Sequence, residues 1–338
     1  MPLKRGSAMS VIRPVRWLLA LAALTIVLAA APASAQTCKV TSTPAFGTVK
    51  IDNMASIGEA STKATIEFEC PESDTIKEVL ICAYIEPVDA QSPVHQNANH
   101  FYQRQSGNNS RLAWQADFGS GETGMLKLTK TAGPLKGSLS LKITYPDYLH
   151  QDLMRAGTYR STYRLVSETI DPGMGGCPET PAKGDRSSTI NFDLTTEVLP
   201  ICQLESKGKQ ATNFDPIDFG KRGSIFAAEA ADGTIRAATV IDVRCTYETD
   251  YKLDLSDGKN FENGTRHMRI DNSGSTLAYQ LLNATGSGAP SPWSTVSGKG
   301  NTVNTINQYK VEGQLTTPLA VAPAAGSYVD TIVVTLTF

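Results

Sequence analysis

Beyond its first 35 residues this chain has no apolar run long enough to span a bilayer, which takes about 20 residues in a helix. It has no cluster of Lys or Arg. The formal charge of −2 becomes −6 once the four basic residues of the N-terminal stretch, Lys4, Arg5, Arg13 and Arg16, are set aside. Nucleic acid and anionic lipid are therefore excluded as partners. No Cys-x-x-Cys pair is present, which removes the usual redox and zinc motifs. Nor is there a His-Glu-x-x-His, a nucleophile elbow or a phosphate-binding Gly-rich loop; Gly298-Lys299 is followed by Gly300 and lacks the upstream glycine. Histidines number only 4, at His95, His100, His150 and His267. His95 and His100 lie in a polar loop with no carboxylate or Cys at ligand spacing, so they read as solvated. No catalytic residue, cofactor or metal is expected, and the chain does not read as an enzyme.

The N-terminus is patterned differently. A positive n-region is followed by an apolar stretch at 17–31 and by the small residues Ala33-Ser34-Ala35. This is the layout of a cleaved secretory signal, so residues 1–35 are expected to be removed and the mature chain to begin at Gln36. All 6 cysteines fall after it: Cys38, Cys70, Cys82, Cys177, Cys202 and Cys245. An even number behind a secretory signal reads as structural disulfides made in an oxidising compartment.

About 300 mature residues are enough for two domains. Short runs rich in Val, Ile, Thr, Tyr and Phe recur between Gly, Pro, Asn and Asp clusters, and strong helix patterns are scarce. The spacing predicts strands over 64–70, 139–145, 158–166 and 188–198, and an all-β chain of sandwiches. The same plan occurs twice. Cys38 leads to Phe46-Gly47 and on to Cys70; Cys202 leads to Phe219-Gly220 and on to Cys245, with 23 and 25 residues from glycine to second cysteine. Later, Ala156-Gly157-Thr158-Tyr159 matches Ala325-Gly326-Ser327-Tyr328. The expected domains are 36–200 and 201–338. The repeat pairs Cys38 with Cys70 and Cys202 with Cys245, leaving Cys82 for Cys177; other connectivities remain open from sequence alone.

The copies differ at their ends. After Ala156-Gly157 the first has about forty more residues, among them 188–198, which alternates Ile190, Phe192, Leu194 and, after Thr196, Val198. The second has no counterpart. Its terminal stretch, 326–338, reads as a strand with Ile332, Val334, Leu336 and Phe338 on one face. The first domain is thus expected to supply its own last strand and the second to lack one. Unpaired backbone beside an open apolar groove is costly, and strand addition by a partner is the physical remedy. Ile332, Val334, Leu336 and Phe338 are the expected groove residues.

The second half resembles the spore-coat protein U domain, the pilin domain of archaic chaperone–usher pili. The resemblance rests on Cys202 and Cys245, Phe219-Gly220, the stretch 266–269 followed by 277–281, and the terminal 325–338. It implies two immunoglobulin-like β-sandwich domains, the C-terminal one incomplete. The implied partners are a periplasmic chaperone, an outer-membrane usher and a neighbouring pilin subunit that donates a strand. In shaft subunits of this family a donor segment precedes the first cysteine, and here only Gln36 and Thr37 do. The resemblance therefore implies a two-domain tip adhesin, exported through the periplasm to the pilus tip at the cell surface, mediating attachment and biofilm formation. In that setting the sequons at Asn108, Asn263 and Asn283 are chance matches in polar loops.

The ligand of such a tip, an abiotic or host surface, would be met by distal loops of the first domain. Candidates are apolar residues among turn formers: Pro134 and Leu135; Tyr148, Leu149, Leu153 and Met154; and Met174. Two alternatives stand beside this. One is a structural coat or pilus component without an adhesive role. The other is a carbohydrate-binding module with Trp114 or Trp293 as its platform.

Overall fold

The computed structural model describes residues 37–54, 57–72, 77–88, 101–108, 110–119, 123–130, 133–147, 151, 153–181, 188–223, 225, 234–270, 274–316 and 323–338. The expected signal peptide and the loop holding His95 and His100 lie outside these residues, as does His150. Among the described residues all regular structure is β, apart from single 3-10 turns at Ile57–Glu59 and Pro172–Met174.

Alternation builds the first sandwich. In β3 (Ser61–Cys70) Ala64, Ile66, Phe68 and Cys70 point inward and are buried, while Thr65, Glu67 and their neighbours face out. β8 (Leu135–Thr144) buries Leu135, Leu139, Leu141 and Ile143 in the same way. These two strands pair along their full length, flanked by β1 (Lys39–Val40) on one side and by β6 (Arg111–Asp117) and β5 (Phe101–Arg104) on the other. The facing sheet runs β2 (Thr48–Ile51), β10 (Ser188–Val198), β9 (Gly157–Ile170), β4 (Glu78–Pro87) and β7 (Gly124–Thr129). The core between the sheets is rich in aromatics: Trp114 stacks on Phe101 with centroids 4.6 Å apart and meets Tyr163 edge-on at 4.8 Å.

The second sandwich repeats the scheme. A large sheet runs β12 (Lys209–Gln210), β11 (Cys202–Ser206), β13 (Arg236–Cys245), β20 (Asn307–Leu315), β17 (Thr276–Asn283), β16 (Thr265–Arg269) and β15 (Phe261–Glu262), with β18 (Ser291–Pro292) attached to β17. Facing it are only three strands, β19 (Val296–Lys299), β14 (Asp250–Leu255) and β21 (Val334–Thr337). Ile241, Val243, Tyr251, Leu253, Tyr279, Leu281 and Val311 fill the core.

Three disulfides hold the chain. Cys38–Cys70 ties β1 to the end of β3, Cys202–Cys245 ties β11 to the end of β13, and Cys82–Cys177 fastens the loop after β9 onto β4. That last loop lies on the outer face of the sheet, where Cys82, Tyr84 and Val166 form a small second core and the Tyr84 hydroxyl donates to the Pro178 carbonyl at 3.0 Å.

β10 passes into β11 through Leu199, Pro200 and Ile201, a short connection with its backbone bonded on both sides. Leu199 N–H donates to the Ile51 carbonyl and Thr246 N–H to the Ile201 carbonyl, both at 2.9 Å. At this junction Tyr247 N–H donates to the Met154 carbonyl at 2.8 Å, and Arg155 pairs with Glu248 at 2.8 Å. Ile201 and Val303 are buried in the core of the first sandwich. Arg244 steadies the Val303 loop from beneath: its guanidinium donates to the Val303 carbonyl at 2.8 Å while forking onto the buried Glu205 carboxylate at 2.6 and 3.1 Å.

Candidate functional site

The two sandwiches have the same landmarks, which lets one measure the other. Tyr159, near the start of β9, donates its hydroxyl to the carbonyl four residues back, Arg155, at 2.9 Å; Tyr328 does the same to Ala324 at 2.8 Å. These are tyrosine corners, the feature that marks the start of the penultimate strand in immunoglobulin-like folds. Phe46-Gly47 and Phe219-Gly220 likewise turn alike, with glycine φ of 67° and 76°, a left-handed conformation costly for other residues.

Past these landmarks the two sandwiches diverge. In the first sandwich β10 lies between β9 and β2, antiparallel to β9 over its whole length and parallel to β2. Phe192, Leu194, Thr196 and Val198 of β10 point into the core and are buried. In the second sandwich β21, which comes after the corner Tyr328, pairs among the described residues with β14 alone. Residues 221–223, after Phe219-Gly220, form no strand, although the matching residues of the first sandwich form β2. A ladder needs two partners, and β10 is the partner that makes β2 a strand.

The stretch 326–338 was expected to be one strand. Regular pairing covers only Val334–Thr337, preceded by a lone bridge between Val329 and Arg269. The reason is the same: among the described residues no strand lies along the outer side of 329–333. Ile332, Val334 and Leu336 face the core but are only partly buried, and Phe338 is 56% exposed. Across from them Ile217 and Phe219 lie on β20, where Gly313 leaves room; a Cβ there would come within 2.8 Å of Ile217 and 2.9 Å of Phe219. These side chains make a partly buried apolar set beside a strand edge that has no neighbour among the described residues.

Sequence patterning missed Asp330, an acidic residue at the inward parity of the Ile332, Val334, Leu336 series. That parity was the available signal. Its Oδ1 accepts from the backbone N–H of Lys259 (2.9 Å), Asn260 (3.2 Å) and Thr331 (2.9 Å) and from the Asn260 side-chain amide (3.3 Å). Oδ2 accepts from the Tyr279 hydroxyl at 2.6 Å. Burial, together with this bond to a carboxylate, pushes the Tyr279 hydroxyl well above the ordinary tyrosine range.

The adhesive-loop candidates separate by position. The far end of the first sandwich, opposite the junction, carries the loops after β3, β7 and β9. Met174 stands there, 67% exposed, and Pro134 is exposed. Leu135 is only 6% exposed because it opens β8 and belongs to the core, so it does not reach a ligand. Met154 is fully buried at the opposite end, its carbonyl bonded to Tyr247, and Leu153 beside it is half-buried. Thus Leu153 and Met154 stand at the junction and not at the distal end; Tyr148 and Leu149 lie outside the described residues. Trp114 is fully buried with its Nε1–H donating to the Tyr163 hydroxyl at 2.8 Å, which rules it out as a sugar platform. Trp293 packs against the second core. No group of three or more metal-ligating side chains occurs among the described residues, and no helix among them is long and apolar enough to cross a membrane.

Fold and site together define an all-β protein of two immunoglobulin-like sandwiches, one closed by its own strand and one with, among the described residues, an open edge. Residues 188–335 match the family model of the Spore Coat Protein U domain. Among solved structures, it is similar to the CsuC–CsuE chaperone–tip adhesion subunit pre-assembly complex of Acinetobacter baumannii, with 17% identity, TM-score 0.43, and coverage of 89% of this chain and 100% of that one. It is also similar to the CupB6 tip adhesin of Pseudomonas aeruginosa, with 10% identity, TM-score 0.30, and coverage of 89% and 94%. A third is CfaE, the adhesive subunit of CFA/I fimbria of enterotoxigenic Escherichia coli, with 10% identity, TM-score 0.29, and coverage of 87% and 93%. No curated protein matches the chain.

Proposed function

We propose that this protein is an exported pilus subunit whose second sandwich accepts a strand from a neighbouring subunit, and whose first sandwich, at the fibre tip, attaches to a surface. The observation that carries this reading is the contrast between β10 and the open edge of β21. The family match begins at Ser188, the first residue of β10. A stretch counted with the Spore Coat Protein U domain therefore completes the sandwich in front of it, while that domain's own sandwich has the corresponding place unfilled. The domain division that goes with this is 36–200 and 201–338. On this reading a periplasmic chaperone covers the groove during export, an outer-membrane usher assembles the fibre, and the attached fibre supports biofilm formation.

The test uses a synthetic peptide of residues 188–198, the chain's own closing strand, as the donor surrogate. It should bind the oxidised chain, raise the melting temperature of the second sandwich, and lose binding on Val334→Asp. A chain indifferent to this peptide and to purified pilin donor segments would overturn strand acceptance.

A second reading, a structural subunit without adhesive role, gains from the burial of Leu135 in the core and from the place of Met154 at the junction, which remove both from the candidates for contact with a surface. Met174→Asp separates the two: normal piliation with lost attachment supports adhesion, and normal attachment favours the structural role.

A further inference from the structure

The open edge of β21 has no strand on its outer side among the described residues, yet the segment leading into it is held in place. Counting from the two corner tyrosines, Asp330 occupies the position of Ser161 in β9. Ser161 sits opposite Leu194 of β10 and is buried, and its hydroxyl accepts from Arg104 N–H at 3.3 Å. β9 is thus gripped by a ladder on each side, from β4 and from β10. In the second sandwich the ladder on the outer side is missing, and a carboxylate stands where the first has a hydroxyl.

That carboxylate is wrapped by the turn 256–260, which joins β14 to β15. Asp330 takes two backbone N–H bonds and a side-chain amide from Lys259 and Asn260, and a hydroxyl from Tyr279 on the opposite sheet. The turn grips the neighbouring residues too: Ser256 N–H donates to the Val333 carbonyl at 2.9 Å, Val333 N–H to the Ser256 hydroxyl at 2.9 Å, and Lys259 N–H to the Thr331 carbonyl at 3.2 Å. Arg266 of β16 anchors the turn from behind, its guanidinium donating twice to the Ser256 carbonyl, at 3.2 and 3.0 Å. Gly258 is required for the wrap. Its φ is +92°, and a Cβ would stand 2.2 Å from Asp330 Oδ2.

We propose that Asp330 is a positioning residue for strand acceptance: with Tyr279 and the 256–260 turn it clamps 330–333 so that the edge of β21 is already strand-like before a donor arrives. This rests on the strand-acceptance reading given above. Strand edges without partners fray, and a frayed edge must be ordered at the moment of binding, at an entropic cost that slows association. A carboxylate with several charge-assisted bonds substitutes for the absent ladder without occupying the donor's side of the strand.

The test is hydrogen exchange on the oxidised full chain, with Asp330→Ala, Asp330→Asn and Tyr279→Phe, alongside association kinetics of the 188–198 peptide. Asp330→Ala should speed exchange of the Thr331, Val333 and β21 amides by about 10-fold or more while leaving β13 and β20 protected. Peptide association should slow by about the same factor, with Tyr279→Phe giving a smaller effect of the same sign. If Asp330→Ala is too unstable to study, Asp330→Asn, which keeps the shape and removes the charge, and Tyr279→Phe carry the comparison. Unchanged exchange at β21 overturns the clamp, and so does equal loss of protection across the whole second sandwich, which marks a merely structural role. Should the peptide fail to bind the unaltered chain, strand acceptance falls, while the exchange data still decide whether Asp330 holds the edge.

Discussion

In the first sandwich the strand that carries the corner Tyr159 runs 14 residues between two neighbours; in the second, the strand after the corner Tyr328 is regular for 4 residues and has one neighbour among the described residues. The local chemistry is shared: the tyrosine corner, the Phe-Gly turn, and a disulfide from the first strand to its neighbour in the sheet. The difference lies in a single strand, β10. Its presence converts the residues after Phe46-Gly47 into β2, buries Tyr163 and Leu165 completely, and satisfies the outer edge of β9. Where no such strand is found among the described residues, Ile332, Val334 and Leu336 remain partly exposed, and Asp330 accepts backbone N–H bonds from Lys259 and Asn260. Closing a sandwich is thus a cooperative property of its last strand, not of the strands that flank it.

The sharpest way to break the comparison is to spoil both edges with the same substitution. Leu194→Asp puts a charge at a fully buried site in β10 and should cost about 4 kcal/mol or more, unfolding the first sandwich. Trp114 fluorescence during urea unfolding reads this directly. Leu336→Asp, on a partly buried edge, should cost the free chain no more than about 1.5 kcal/mol and act chiefly by abolishing peptide binding. Equal losses at the two sites would mean that the second sandwich is as closed as the first.

Removing Cys38–Cys70 or Cys202–Cys245 by paired Cys→Ala changes should cost about 4 kcal/mol each from loop closure, measured by denaturant midpoint. Closing the second sandwich should work in the other direction. Fusing 188–198 behind Phe338 through a flexible linker is expected to add about 3 kcal/mol, by burying the remaining apolar surface of Ile332, Val334 and Leu336, and to raise the melting temperature. Tyr159→Phe and Tyr328→Phe compare the corners. The first leaves the Arg155 N–H, which donates to the Tyr159 hydroxyl at 2.7 Å, without that acceptor, and should cost about 2 kcal/mol; the second should cost about 1 kcal/mol.

The last effect is alkaline. Burial, reinforced by the Glu168 charge, pushes Tyr84 up to about 12, and burial pushes Tyr159 up to about 12. Their folded values lie above the unfolded value near 10, so their contribution is complete below pH 10. It is lost as pH rises from 10 through 12. A stability profile by denaturant titration should fall in that window, and less steeply in Tyr84→Phe and Tyr159→Phe.

Much of the strand content was legible from period-2 patterning, because a face that must be buried writes itself into alternate residues. The expected strand over 188–198 is β10 in full, and the runs at 64–70, 139–145 and 158–166 lie almost wholly within longer strands. The loops were less legible. Leu135 and Met154 stand among Gly, Pro and Asp and look like exposed tips, but a strand can begin directly after Pro134, and a loop can be buried by the sandwich that comes after it. Trp114 gave no sign of whether it faced core or solvent; its position opposite Phe101 in the ladder decided that. Asp330 showed in the sequence only its inward parity; its partners, Lys259, Asn260 and Tyr279, come from turns and strands 51 to 71 residues away.

By itself the sequence determined the β character, the internal repeat with its paired Phe-Gly and Ala-Gly landmarks, and the alternating face of 332–338, all of which are properties of residue order over a few positions. The tertiary structure decided which end of the first sandwich faces away from the second, which candidate loops sit there, and that a carboxylate holds the open edge. Those depend on which distant segments meet, and a ladder or a hydrogen-bonded turn is set by partners brought together only when the two sheets pack.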